Sequence, residues 1–329
     1  MRDALVFLLL VGCGSPATAP APPAPPPPKQ VRHDELIWIG PNGSAGLYET
    51  GAQWVEGQSR VHVLKLYVDR IATPVQQTPQ VVATAQTADL RLAVEVGGLR
   101  DWQCSGTAMA QIEQDKIRPL LTAGGTVSYL AMDSPFGYTI ATGPAGNCGF
   151  SIRQAAESLA IYMSAMRQAY PGVKIGLIEP VPWYRVGIHP NHPGNEFGDL
   201  PRLLDTAVTV LALRGERLDF VHADSPYDYN QAHPTGWQKL RVWQDSVRHR
   251  GIRFGLIYNS DVGGSTSDQM FHQSSLAALD AFLTAGGAPD DFIVQSWYPH
   301  PASMAPESMP WTFTYLVKHF IGRYDILYP

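Results

Sequence analysis

The chain has 329 residues, with 45% hydrophobic and 16% charged. That is enough apolar material for a well-buried domain, and a length that suits one core best if the core is a barrel. A net charge of -5 and the absence of any Lys/Arg-rich run exclude the electrostatic footprint of a nucleic-acid binder.

The N-terminus reads as targeting rather than fold. Arg2 opens a short n-region, and Ala4 to Val11 is an apolar run of eight, too short for a bilayer-spanning helix. Leu10-Val11-Gly12-Cys13 resembles the bacterial lipobox, which implies lipidation of Cys13 and export to the cell envelope, at the periplasm or the surface. Residues 14–29 turn to Gly, Ser, Ala and Thr and then to Pro and Ala, with Pro25 to Pro28 consecutive. Such a stretch cannot bury a core and favours extended polyproline II, so it suits a stiff spacer. The expected organisation is a signal peptide over 1–12, a linker over 13–32 that carries the membrane anchor, and one globular domain over 33–329.

Eight strand-like runs follow: Leu36–Ile39, Val61–Val68, Leu90–Val96, Val127–Met132, Val173–Ile178, Leu218–Ala223, Phe254–Tyr258 and Phe292–Trp297. Helix-length segments separate most of them. The clearest are Thr107–Leu121, Ile152–Ala169 with Ser151 as a candidate cap, Leu200–Arg214, Gly236–Arg250, Ser267–Ala285 and Trp311–Ile321. The segments around Glu49–Gln58 and Val75–Asp89 are weaker. Alternating short apolar runs and helices predict βαβ units, and eight such units predict a single (β/α)8 barrel. No Gly-x-Gly-x-x-Gly follows the first strand, which weighs against a dinucleotide fold and its cofactor.

A barrel builds its site at the C-terminal strand ends. Those ends carry Lys65 and Asp69, then Glu95, Asp133, Glu179, and His222 with Asp224. Asn259 and Asp261 end the seventh run, and Gln295, Trp297, Tyr298 and His300 the eighth. Period-two alternation puts Val127, Tyr129, Ala131 and Asp133 on one side of strand four, and Ile175, Leu177 and Glu179 on one side of strand five. It does the same for Leu218, Phe220, His222 and Asp224 on strand six. If these faces point inward, Asp133, Glu179 and Asp224 converge. A lone acid after a strand often caps the next helix; three in a row favour chemistry. Paired carboxylates are the tools of glycoside hydrolysis, one protonated and one ionised. Trp183, Tyr184, Tyr227, Tyr229, Tyr258, Trp297 and Tyr298 offer rings for stacking on sugars. Glu95, Asn259, Gln295, His222 and His300 offer hydrogen bonds to hydroxyls.

With these residues the chain resembles the (β/α)8 glycoside hydrolases. It is also similar to exported bacterial barrel proteins with segments such as Ala131-Met132-Asp133-Ser134-Pro135, Gly176-Leu177-Ile178-Glu179-Pro180 and Gln295-Ser296-Trp297. The likeness to the α-galactosidase-like clan implies Asp133 as nucleophile and Asp224 as acid/base. The larger cellulase-like clan uses Glu at the ends of strands four and seven, where this chain has Asp133 and Asn259. Glu179 stands as a rival for either role.

Other chemistries are weaker. His189 and His192 lie in a Pro/Gly/Asn-rich loop, but strand one lacks the His-x-His of metal-dependent barrels, so no metal is expected. Lys65 reads more simply as a salt-bridge partner of a carboxylate such as Glu95 than as a Schiff-base lysine. Gly263-Gly264-Ser265-Thr266 reads as a loop rather than a phosphate cradle. Cys104 and Cys148, an even pair in an exported chain, are expected to form a disulfide. The expected protein is a monomeric glycosidase without a cofactor, whose partner is a carbohydrate. The alternatives are a non-catalytic carbohydrate-binding barrel and, further off, a metal-dependent hydrolase.

Overall fold

The computed structural model describes residues 34–327, apart from 45, 49–52, 72, 74–76, 142–144, 181–199 and 234. The signal peptide, Cys13 and the linker lie outside the described residues, as do Trp183, Tyr184, His189 and His192. No described helix is long and apolar enough to cross a membrane.

Eight parallel strands close into a barrel in sequence order, β1 pairing with β8. They are β1 (Leu36–Gly40), β2 (Val63–Tyr67), β3 (Arg91–Val96), β4 (Val127–Asp133), β5 (Lys174–Pro180), β6 (Phe220–Asp224), β7 (Arg253–Tyr258) and β8 (Asp291–Gln295). Helices lie between the strands: α1 (Val55–Gln58), α2 (Thr78–Thr87), α3 (Gly106–Thr122), α4 (Pro135–Thr139), α5 (Ile152–Ala169) and α6 (Leu200–Leu213). The rest are α7 (Tyr227–Ala232), α8 (Gly236–His249), α9 (Asp261–Thr266), α10 (Asp268–Thr284) and α11 (Phe313–Leu327). The chain is thus a (β/α)8 barrel, with the expected strands and main helices present within a few residues. Ser151 caps α5 in a capping box with Gln154, which fixes where that helix begins. Glycines 263 and 264 lie in α9 rather than in a loop.

Two apolar layers account for the folding. The larger sits between the outer strand faces and the helices and includes Ile37, Leu64, Val94, Met132, Leu177 and Phe292. The smaller fills the barrel with Trp38, Val63, Ala93, Tyr129, Ala131, Ile178, Phe220, Ile257 and Ile293. Large rings inside the barrel are matched by missing side chains opposite. A Cβ on Gly176 would lie 2.4 Å from the Phe220 ring, and one on Gly255 would lie 2.5 Å from the His222 ring. Trp38 is fully buried at the centre, its ring centroid 4.7 Å from Tyr129, 5.7 Å from Phe220 and 4.8 Å from His222.

At the N-terminal end of β8 a buried carboxylate binds this layer together. Asp291 accepts from Trp38 Nε1 at 3.3 Å and from Arg253 at 2.8 Å, and meets His222 Nε2 at 3.4 Å. Burial pushes the Asp291 carboxyl up, but His222 and Arg253 outweigh it and hold it below its ordinary value. His222 is therefore a member of the barrel interior.

Parity on β5 runs opposite to the arrangement needed to bring Glu179 inward. Ile175 and Leu177 belong to the outer layer, while Ile178 faces in. Both faces of a parallel barrel strand are covered, so an apolar triplet does not say which face is the interior. On β4 a register shift opposite Leu92 and Ala93 breaks the alternation, sending Val127 outward while Tyr129 and Ala131 point in.

Replacing Trp38 by Ala removes the ring that four interior groups touch. The expected cost is about 3–5 kcal/mol of unfolding free energy, read by denaturant titration. A loss below about 1 kcal/mol would mean that the barrel interior collapses onto the gap.

Candidate active site

At the C-terminal mouth a cleft of about 270 Å³ is lined by Glu95, Asp133, Ser134, Tyr138, Ile178, Pro180, Asp224, Gln295 and Trp297. It brings together two of the three acids read from the sequence. Glu179 is absent from it: its side chain follows Ile175 and Leu177 toward the helix layer and is fully buried.

Asp133 ends β4, where the chain turns through Ser134 at φ +53 into Pro135, the first residue of α4. Arg100 holds it twice. One guanidinium nitrogen donates to the Asp133 carbonyl at 2.8 Å and another to Oδ2 at 2.9 Å, while Ser134 Oγ donates to Oδ1 at 2.8 Å. The guanidinium also lies 4.4 Å from the Tyr138 ring centroid. Arg100 reaches this place because Gly97 and Gly98 follow β3. Gly98 has φ +70, and a Cβ on Gly97 would lie 2.8 Å from Arg100 Nε.

Asp224 ends β6 in a different environment. Among the described residues it accepts one hydrogen bond, from Asn259 Nδ2 at 3.0 Å, and pairs with no cation. Burial pushes its pKa up to about 7, aided by the charges of Asp261, Asp133 and Glu95 and opposed by the Asn259 bond.

Glu95 and Gln295 form the inner wall. Glu95 Oε2 accepts from Lys65 Nζ at 2.6 Å and from Gln295 Nε2 at 3.0 Å. The Lys65 ammonium is fully buried against it, which is the salt-bridge role expected of that lysine. Tyr67 closes the layer by donating to the Ser296 carbonyl at 2.9 Å. Trp297 stands on the rim, half-buried and packed on the barrel interior.

The remaining sequence candidates fall elsewhere. His222 sits below the mouth between Trp38 and Phe220. The Tyr258 ring points outward, fully buried, with its centroid 6.0 Å from Phe292 and 4.8 Å from Phe320. Tyr227 packs on the outer layer beside Trp237 and its hydroxyl accepts from Gln231 at 2.9 Å. The Tyr298 hydroxyl donates to Asp261, its ring lies over Gly264, and His300 bonds Asp268; neither residue lines the cleft. The Cys104 and Cys148 sulfurs are bonded, with Cα atoms 5.8 Å apart. Among the described residues, no group of three or more His, Cys, Asp or Glu side chains is arranged to hold a metal.

Arg100 and Tyr138 were missed in the sequence. Arg100 follows a glycine pair on strand three, and nothing local to it announces an ion pair with strand four. The only usable signal was that Gly97-Gly98 lets the chain double back toward its neighbour.

Comparison with protein-family models and with curated proteins finds no match. Solved structures share the fold. A GH5_18 protein from Streptomyces cattleya, in complex with GlcNAc, matches at 12% identity and a TM-score of 0.52, over 88% of this chain and 80% of that one. A GH10 endoxylanase retrieved from a sugarcane soil metagenome matches at 8% identity and a TM-score of 0.50, over 80% and 86%. An orotidine 5'-monophosphate decarboxylase from Methanocaldococcus jannaschii matches at 10% identity and a TM-score of 0.48, over 88% and 97%. The likeness at these identities is one of fold.

The Asp224 environment has a thermodynamic signature. The folded protein keeps a proton on this carboxyl up to about pH 7, whereas the unfolded chain gives it up near the ordinary value of 3.8. The folded state therefore binds more protons between these limits, and this group's effect on stability becomes more unfavourable as pH rises through them. Asp224→Asn removes that dependence. The melting temperature of the variant minus that of the parent is expected to increase steadily from pH 4 to 7; a flat difference would place the Asp224 pKa near its ordinary value.

Proposed function

We propose that the protein is a glycoside hydrolase whose reacting groups are Asp133 and Asp224. The observation that carries this reading is the opposite treatment of two carboxyls lining one cleft. Arg100 and Ser134 hydrogen-bond Asp133, while burial and neighbouring acids favour the proton on Asp224. An ionised group and a protonated group flanking one bond are what glycosidic cleavage requires.

In this reading Asp224 Oδ gives its proton to the glycosidic oxygen as the bond to the anomeric carbon breaks. Asp133 meets the positive charge that develops on the sugar, by direct attack or through an activated water. Asn259 holds the Asp224 carboxyl in orientation. Trp297 offers a flat face to a pyranose, and Glu95 and Gln295 accept and donate hydrogen bonds to its hydroxyls. The Cys104–Cys148 disulfide suits an oxidising compartment. It supports, with the lipobox-like segment at Cys13, a protein exported and anchored by lipid to the bacterial envelope.

Initial rates on aryl glycosides and a polysaccharide panel test the assignment. Activity is expected to fall as pH rises through about 7, because the acid loses its proton. Asp224→Asn is expected to lose about 10²–10⁴ in rate on substrates with poor leaving groups. On dinitrophenyl glycosides, whose leaving group needs no proton, it should lose far less. Asp133→Asn should be inactive on both. If the parent binds a glycan from the panel and cleaves none, the protein is a carbohydrate-binding barrel and the hydrolase reading fails.

A further inference from the structure

A second groove of about 140 Å³ shares Glu95 with the cleft, and its lining includes Gly97, Arg100, Trp102, Met109, Asp69 and Lys116. Glu95 lines both cavities, and Arg100 reaches from the groove to Asp133. The two spaces are neighbours along one surface.

Trp102 is 60% exposed there, an unusual cost for the largest apolar ring. It sits in a tight turn closed by Arg100 N–H to the Gln103 carbonyl at 3.2 Å and Gln103 N–H to the Arg100 carbonyl at 3.0 Å. The next residue, Cys104, is bonded to Cys148. Beneath the turn, the buried Glu113 carboxyl accepts from Gly97 N–H at 2.5 Å and from the Tyr162 hydroxyl. The indole is thus presented on a braced support, so a ligand that stacks on it loses little entropy in ordering the backbone.

The charges at this site are matched within the protein. Arg100 is paired with Asp133, Lys116 with Asp69 at 2.6 Å, and Lys65 with Glu95. Among the described residues lining the two cavities, each cation already has its carboxylate, and Asp224 adds a further acid. An anionic sugar entering here would face carboxylates without an uncommitted cation, so its desolvation would go uncompensated.

We propose that the groove is a second sugar subsite with Trp102 as its stacking platform, and that the substrate is an oligosaccharide of uncharged sugars that spans Trp102 and the Asp133–Asp224 cleft. This rests on the glycosidase reading of the cleft. Trp102 would then determine chain-length preference while touching none of the reacting atoms.

Calorimetric titration of the full-length Asp224→Asn protein, which suppresses turnover, tests it. The probes are cello-, xylo-, manno- and chito-oligosaccharides of one to six units, with oligogalacturonates as the charged series. Affinity is expected to rise with length in at least one neutral series. Adding Trp102→Ala should weaken the longest member of that series about tenfold and leave its shortest binding member unchanged, and Trp102→Phe should restore most of the loss. The proposal is overturned if length has no effect, if Trp102→Ala binds the longest member like its parent, if no probe binds, or if oligogalacturonates bind more tightly than every neutral series. The two readings fail separately. A length-dependent, Trp102-dependent ladder with no cleavage by the parent keeps the subsite and ends the hydrolase. Cleavage of aryl glycosides with a flat ladder does the reverse.

Discussion

A closed eight-stranded barrel leaves an interior just wide enough to be filled by side chains, and the rest of this molecule depends on how that space is filled. Trp38, Tyr129, Phe220 and His222 occupy it, and Gly176 and Gly255 supply the space those rings take up. The result is a closely packed floor beneath the mouth, on which the strand-end carboxyls sit. The high pKa of Asp224 is a consequence of barrel packing as much as of its neighbours.

Against that floor, Asp133 and Asp224 differ by what the adjacent turns deliver. The turn after β3 brings a guanidinium to Asp133; the end of β7 brings only an amide to Asp224. A cation in contact favours the anion, whereas one neutral donor does not offset desolvation by burial and three nearby acids. The buried Lys65 ammonium is not available to change this balance, because Glu95 takes it. Even paired with Lys65, Glu95 still adds to the negative charge that favours the proton on Asp224.

The fold was legible because its signals are cumulative: eight apolar runs, helix-length spacers and glycine stops all agree. The acids at the ends of β4 and β6 were legible for the same reason, since period-two spacing carries Tyr129 to Asp133 and Phe220 to Asp224. The inward reading of Glu179 has a definite physical weakness. Alternation identifies two faces, and in a parallel barrel both are apolar, so it cannot say which is inside. Val127 faces outward because one extra residue on β4 reverses the sense of the alternation. For His222 the face was right and the depth was wrong: one step below Asp224 is already the packed core. Arg100 was invisible because its role comes from closure across strands rather than from anything near it in the chain.

Asn259 shows why a shared fold says little about chemistry. The cellulase-like pattern places a reacting Glu at the end of strand seven. Here the residue at that position is a fully buried amide whose bond goes to the carboxyl of the preceding strand. A carboxylate at that point would sit within hydrogen-bond reach of Asp224, and the pair would share a proton rather than act independently. The amide avoids this: it orients Asp224 without adding charge. The proposed pairing of Asp133 on strand four with Asp224 on strand six is therefore consistent with a neutral residue at the end of strand seven, the place Asn259 takes.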